Sequence, residues 1–292
     1  MHDISNSIYR DLSALEKIIR DEAEIKLFNY NGLDIPFSGK WRKIAINLSG
    51  GADSACLTYL LCKIITENNF NCKIDVITHV RCWTTRPWQQ PISVKIFTKL
   101  KNMFPDIINQ RYENFIAPQI EHGVIGYIYK DLETGEDRSG DQLQVSEFNI
   151  YCAYKHRYNA IFNATSMNPP QTDFPKKMKD REKQPEHGAL RDLILHVTDD
   201  GNDDLFLCHP FRFVDKSWIV AQYYKYNILD LFELTRSCEG DVTHENIKSV
   251  VPDFISYSSD QVVPECGTCF WCLERNWALS NVNEVLEKIK DV

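Results

Sequence analysis

The stretch from Lys43 to Ile65, KIAINLSGGADSACLTYLLCKII, constrains the fold more than any other part of the chain. A short apolar run breaks at two consecutive glycines and resumes as an apolar segment of helical length with Asp53 in its first turn. A strand that passes through a tight loop straight into a helix begins a βαβ unit, which implies a parallel sheet with right-handed crossovers. The loop Ser49, Gly50, Gly51, Ala52, Asp53, Ser54 then lies at the carboxyl edge of that sheet, where open α/β folds bind ligands. Paired glycines bring backbone N–H groups close to an anion, and the helix start adds about half a positive charge. A phosphate suits that environment. No Lys follows the glycines, as a Walker A loop requires, and no third glycine completes a dinucleotide fingerprint. The plainer alternative is a glycine turn capped by Asp53 or Ser54.

The surrounding pattern extends the α/β reading. Ile4, Ile8, Leu12, Leu15 and Ile19 recur at helical spacing, so Asp3 to Glu24 is expected to form an amphipathic helix in an N-terminal helical extension over 1–40. After the loop and its helix come a second apolar run from Lys73 to Val80 and a helical stripe through Val94, Phe97, Leu100, Met103 and Phe104. Gly123 to Gln144 reads as a β-hairpin insertion, Ser146 to Tyr158 as a helix, and Ala160 to Ala164 as a further parallel strand. Residues 166–187 are rich in proline and charge and read as a solvated loop or a cover over a site. LILHV and LFLCHP flank a turn, and a closing amphipathic helix carries Trp277, Val282, Val285, Leu286 and Ile289. This divides the chain into the extension, a nucleotide-binding domain over 41–235 and a C-terminal segment over 236–292.

Net charge narrows the partners. With 33 basic and 41 acidic residues the chain carries −8, which repels phosphate polymers and argues against a nucleic-acid partner. No window reaches the ~18 continuous apolar residues of a membrane span, and the start lacks the layout of an export signal, so the protein reads as cytoplasmic. The oligomeric state is open between a monomer and a homodimer.

Ten cysteines are too few for a disulfide scaffold in a chain of 292 residues. Cys266, Cys269 and Cys272 are separated by two residues each, so one turn can aim three thiolates at a common centre, with Cys238 as a fourth. Four sulfurs close a tetrahedron around Zn²⁺ and leave no position for a reacting water, which describes a structural site. Buried reduced cysteines are the alternative, and core packing is the default for Cys56, Cys62, Cys72, Cys82, Cys152 and Cys208. The loop RCWTTRPWQQP offers Trp83, Arg86 and Trp88 for stacking on a purine, or simply for packing. His79 and His209 fall at strand ends and read as hydrogen-bonded core histidines.

SGGADS resembles the SGGxDS signature of the PP-loop ATP pyrophosphatases, which cleave ATP between the α and β phosphates and adenylate a substrate. PFRFVDKSWIVAQYYKYNILDLFELTRSCEG followed by ECGTCFWCLERNWAL is similar to the C-terminal half of the 7-cyano-7-deazaguanine synthase family. Pro210, Lys216, Thr235, Ser237, Cys238, Cys266, Gly267, Cys269, Cys272 and Arg275 align with that family's order and spacing. The resemblance implies a Rossmann-like open parallel sheet with helices on both faces, of the adenine nucleotide alpha hydrolase type, plus a C-terminal zinc-binding segment. It implies that Ser49, Gly50, Gly51, Ala52, Asp53 and Ser54 hold ATP, that Asp53 helps position Mg²⁺, and that Lys216 and Arg275 neutralise phosphate. The four cysteines would be zinc ligands. The implied reaction adenylates 7-carboxy-7-deazaguanine and converts it with ammonia to an amide and then a nitrile.

Between its two ends the likeness fades. HVRCWTTRPWQQPIS replaces the family's Tyr-Gly-Gln run with its following His and Glu, and NATSMNPPQTD keeps only the position of its Ala-Asn loop. Two other readings therefore stand beside the ligase: a PP-loop tRNA-modifying enzyme of the thiolation type, and a non-catalytic nucleotide-binding zinc module.

Overall fold

The computed structural model describes residues 24–80, 88–116, 128–130, 137–170, 194–197, 205–238 and 265–289. In chain order the strands are β1 (Lys26–Tyr30), β2 (Leu33–Phe37), β3 (Lys43–Asn47), β4 (Lys73–Val80), β5 (Ile108–Phe115), β6 (Ile128–Lys130), β7 (Asp137–Ser139), β8 (Ala160–Phe162), β9 (Ile194–Val197) and β10 (Leu205–Cys208). The helices are α1 (Ala52–Glu67), α2 (Gln89–Met103), α3 (Gly140–His156), α4 (Lys216–Lys225), α5 (Leu229–Leu234) and α6 (Phe270–Lys288). Six strands form one open sheet in the order β5-β4-β3-β8-β10-β9. All pairs are parallel except β10 with the edge strand β9.

Alternation along each strand divides the core. Ile44 and Ile46 of β3, Ile74 and Val76 of β4, and Phe162 and Phe206 face one side, where they join the apolar residues of α1, α2, α4, α5 and α6. Ala45, Ile77, Ile161 and Leu205 face the other and meet Cys152 and Ala153 of α3. Helices therefore cover both faces, and the sheet is Rossmann-like and doubly wound. From β3 the chain runs outward through β4 to β5, then returns to β8 on the opposite flank of β3. The strand order reverses between β3 and β8, which opens a crevice at their carboxyl ends.

Of the extension over 1–40, residues 1–23, which hold nearly all of the expected Asp3 to Glu24 helix, lie outside the described residues, while 26–37 form the antiparallel hairpin β1–β2. Asn31 and Gly32 sit at φ 55° and 84°, the left-handed pair that a two-residue hairpin turn requires. Ile35 and Phe37 are fully buried, and Phe37 stacks on Phe70 beyond the end of α1 with centroids 5.6 Å apart. The insertion expected over 123–144 contains the antiparallel pair β6–β7, but its last residues, from Gly140, already belong to α3. Most of the proline-rich 166–187 segment lies outside the described residues. No helix among the described residues is long and apolar enough to cross a membrane.

Candidate active site

The glycine loop stands where the sequence places it, between β3 and α1 beside the reversal point. Gly50 has φ 84°, and a Cβ there would lie 3.2 Å from Ile92 Cγ2 and 3.4 Å from the Gln89 carbonyl oxygen. Gly51 caps α1 without a side-chain hydrogen bond, so the first N–H groups of the helix are left for a ligand. The two serines brace the loop: Ser49 N–H donates to Ser54 Oγ at 3.1 Å, Gly51 N–H to Ser49 Oγ at 3.3 Å, and Ser54 Oγ–H to the Gly51 carbonyl at 3.2 Å. A cleft of about 240 Å³ opens above, lined by Ser49, Gly51, Asp53 and Ser54 of the loop, and by Asn47, His79 and Asn163 at the strand ends.

Asp53 and Lys216, 163 residues apart in the chain, meet here. Lys216 Nζ donates to both carboxylate oxygens of Asp53 at 2.5 Å and stands 3.6 Å from Glu274 Oε2. Lys216 is 2% exposed, Glu274 0% and Asp53 18%, so one cation is shared between two acids under cover. Asp53 reaches the cleft and Lys216 supports it from behind. Tyr223 reinforces the same turn by donating its hydroxyl to the Ala52 carbonyl at 2.5 Å. Burial holds the Tyr223 phenol well above its ordinary range, so it remains a donor.

The extended segment Thr235–Cys238 closes the loop from outside. Arg236 N–H donates to the Gly50 carbonyl at 2.8 Å, and Ser237 Oγ lies 3.1 Å from where a Gly51 Cβ would be. Arg275 holds this segment in place: its guanidinium donates to Thr235 Oγ1 at 2.9 Å, to the Thr235 carbonyl at 3.3 Å and to the Phe232 carbonyl at 3.4 Å. Arg275 thus sits behind the loop and does not line the cleft. Sequence reasoning missed Arg236. Its guanidinium lies 4.8 Å over the Trp88 ring, and its Nε and Nη2 are buried without an acceptor among the described residues. Gln89 Oε1, in the cleft wall, is likewise a buried acceptor without a donor among the described residues. Nothing local marks either residue, since only the approach of α2 and the Thr235–Cys238 segment to the loop sets them there. Trp83 and Arg86 lie outside the described residues.

Cys238 continues that segment into the sulfur cluster. The Sγ atoms of Cys238, Cys266, Cys269 and Cys272 all lie within 4.8 Å of one another, with Cys266 and Cys272 3.9 Å apart. Thiolates about 2.3 Å from a central ion occupy tetrahedral corners roughly 3.8 Å apart, so the group can hold one metal ion. A cluster of several irons would spread its thiolates further. Gly267 turns the chain at φ 74°. Burial pushes the Cys266 thiol up, but N–H groups of Thr268 and Cys269 more than offset it and bring it down to about 6, which favours the thiolate. Cys56, Cys62, Cys72, Cys152 and Cys208 are buried, and burial raises each thiol, Cys72 to about 12. They act as small apolar residues. Cys82 lies outside the described residues.

No family model matches the sequence, and no curated protein matches it. Solved structures similar in fold include the U34-tRNA thiolase NcsA from Methanococcus maripaludis with its [4Fe-4S] cluster, at TM-score 0.41 and 12% identity over 96% of this chain and 80% of that one. NMN synthetase from Francisella tularensis gives TM-score 0.31 and 17% identity over 84% and 87%. FMN adenylyltransferase from Candida glabrata, in complex with FMN and the ATP analogue AMPCPP, gives TM-score 0.33 and 13% identity over 75% and 58%. These TM-scores are all below 0.5, and the likenesses carry no argument about activity.

Proposed function

We propose that the chain is an ATP-dependent ligase of the PP-loop type, which adenylates a carboxylate and converts it with ammonia to an amide or nitrile. The observation that carries this reading is the glycine loop at the strand reversal, with uncapped helix N–H groups facing a cleft and Asp53 at its rim. Pyrophosphate would rest on Ser49, Gly50, Gly51, Ala52 and Ser54, drawn by amides and the helix end. Asp53 would hold Mg²⁺, which neutralises phosphate charge when bound; Asp53 lines the cleft, and each of its carboxylate oxygens keeps a lone pair beyond the bond to Lys216. Lys216 orients Asp53, Arg275 fixes the closing segment, and Arg236 is the guanidinium beside the loop with donors to spare.

A carboxylate oxygen of the substrate attacks the α-phosphorus, the bond to the bridging oxygen breaks, and pyrophosphate leaves. Ammonia adds to the acyl carbon, loses a proton and expels AMP. Repeating the activation on the amide oxygen lets AMP depart with that oxygen while the nitrogen gives up its two protons to solvent, which leaves the nitrile. Positioning and charge neutralisation supply the rate, with no covalent enzyme intermediate. The four cysteines would hold Zn²⁺ as a closed structural site. The thiolation alternative would want a cysteine free to carry sulfur, whereas Cys238, Cys266, Cys269 and Cys272 would be committed to the metal. The suspected acid is 7-carboxy-7-deazaguanine.

The test is release of AMP and pyrophosphate from ATP with ammonium and a panel of aromatic carboxylates led by 7-carboxy-7-deazaguanine, beside metal analysis of the purified protein. The expected result is acid-dependent AMP and one zinc per chain. ATP binding without AMP from any acid would favour a non-catalytic nucleotide-binding module, and acid-independent AMP formation with tRNA would favour thiolation.

A further inference from the structure

We propose that the floor of the cleft is a hydrogen-bond relay of fixed direction ending in bare donors, so that Asn163 selects the carboxylate of an aromatic acid. Its place in the reaction rests on the ligase reading, while the binding itself does not.

The direction starts from an atom whose role cannot reverse. The Gln144 backbone carbonyl accepts from Asn114 Nδ2 at 3.4 Å, which fixes the nitrogen side of that amide. The same nitrogen meets His79 Nδ1 at 3.1 Å. A ring nitrogen facing an N–H donor must be the bare acceptor, so in the neutral imidazole the proton sits on Nε2. Nε2 faces Asn47 Oδ1 and Asn149 Oδ1, both at 3.1 Å, and its single hydrogen is shared between them. With its oxygen committed, Asn47 presents nitrogen to Asn163 Oδ1, at 2.5 Å. The side-chain oxygens of Asn47, Asn149 and Asn163 each accept a hydrogen bond from within the relay. Both hydrogens of Asn163 Nδ2 and the second hydrogen of Asn47 Nδ2 have no partner among the described residues. The opposite direction would set the Asn114 oxygen against the Gln144 carbonyl.

Asn47, His79 and Asn163 line the cleft, where Asp53 is the one acid among the described lining residues and is held by Lys216. Ile77, Val145 and Trp271 supply apolar walls for a ring. The unpartnered hydrogens of Asn163 and Asn47 fit an anionic oxygen pair, through charge-assisted hydrogen bonds. Asn163 is thus a specificity-determining residue for the acid, and Asn114 and His79 are positioning residues that act through Asn47.

Two bicyclic probes of similar shape and opposite hydrogen-bonding character test this: indole-3-carboxylate and 3-(aminomethyl)indole, titrated against the full-length protein by calorimetry. Wild type should bind the acid saturably and more tightly than the amine. Asn163→Asp keeps the bond from Asn47 but turns an oxygen to the cleft, so acid affinity should fall by about tenfold or more and the preference should pass to the amine. Independently of any variant's folding, ¹⁵N shifts of the His79 ring in the wild-type protein should report the neutral Nε2–H tautomer. Equal binding of the two probes, no binding of the acid, unchanged acid affinity in N163D, or an Nδ1–H tautomer would each overturn the proposal. Acid binding that persists where no acid yields AMP would instead sink the ligase reading and leave the relay standing.

Discussion

Replacing Lys216 by methionine should destabilise the protein far more than replacing Asp53 by asparagine, although the two side chains share one pair of hydrogen bonds. The cause is the count of buried charges. Lys216 answers both Asp53, at 2.5 Å, and Glu274, at 3.6 Å, and Glu274 is fully buried. Lys216→Met leaves two carboxylates facing each other across a methyl group. Breaking a buried pair in this way costs about 3–5 kcal/mol, and the partial exposure of Asp53 places the value near the lower end. Asp53→Asn leaves the Lys216–Glu274 pair intact and an amide oxygen that still accepts, so the loss should be about 1 kcal/mol. With a slope of about 3 kcal/mol per molar urea, the midpoint should drop by about 1 M for K216M and by about 0.3 M for D53N. The double variant K216M/E274Q should recover part of the loss. Acid-dependent AMP release should run the other way, with D53N losing about a hundredfold or more while folded, if Asp53 serves the phosphates. Equal midpoint shifts for the two single variants would refute the shared-cation argument.

The two loop glycines should separate in a similar manner. Gly50→Ala forces a side chain into the left-handed region against Ile92 and should cost about 1–2 kcal/mol by urea unfolding, whereas Gly51→Ala keeps an ordinary φ of −83° and should instead weaken ATP binding by crowding Ser237 Oγ, read as a raised KM with a near wild-type midpoint. Acid should destabilise the protein partly through His156, whose burial and the nearby Lys43 charge hold its imidazolium below the ordinary value near 6.5. The unfolded chain then binds the extra proton first, so stability should decline as pH falls below about 6.5 and level off beneath the folded value, and His156→Gln should flatten that part of the midpoint-against-pH curve.

Much of the scaffold was legible because its signals are local. The apolar run ending at Gly50 and Gly51 specifies strand, turn and helix within two dozen residues, and three cysteines two residues apart need only one turn to converge. Elements held by their neighbours were harder to see. β5, INQRYENF, is polar for most of its length and is a strand because β4 offers it a free edge. The β1–β2 hairpin is marked locally only by the Asn-Gly pair at its turn, Asn31 and Gly32. Within the site, the loop could be read but its partners could not. Lys216 could be nominated only by resemblance, and the contact with Asp53 exists because α4 packs beside α1. Arg236 and the Asn114–His79–Asn47–Asn163 chain have no spacing rule at all, since each link joins a different strand end.

The separation between Asp53 and Lys216 also orders events during synthesis. At roughly 5–20 residues per second, the 163 residues between them take a ribosome on the order of ten to thirty seconds. Throughout that interval the emerging half-sheet carries an acid at its carboxyl edge without the lysine that will neutralise it, and the glycine bend lacks the segment that clasps it. The end of the sheet that carries the glycine loop is therefore finished last. A fragment ending before residue 216 should retain β3, α1 and β4 yet lack both the Asp53–Lys216 pair and the clasp on the loop, which makes the chain a poor candidate for splitting at that point.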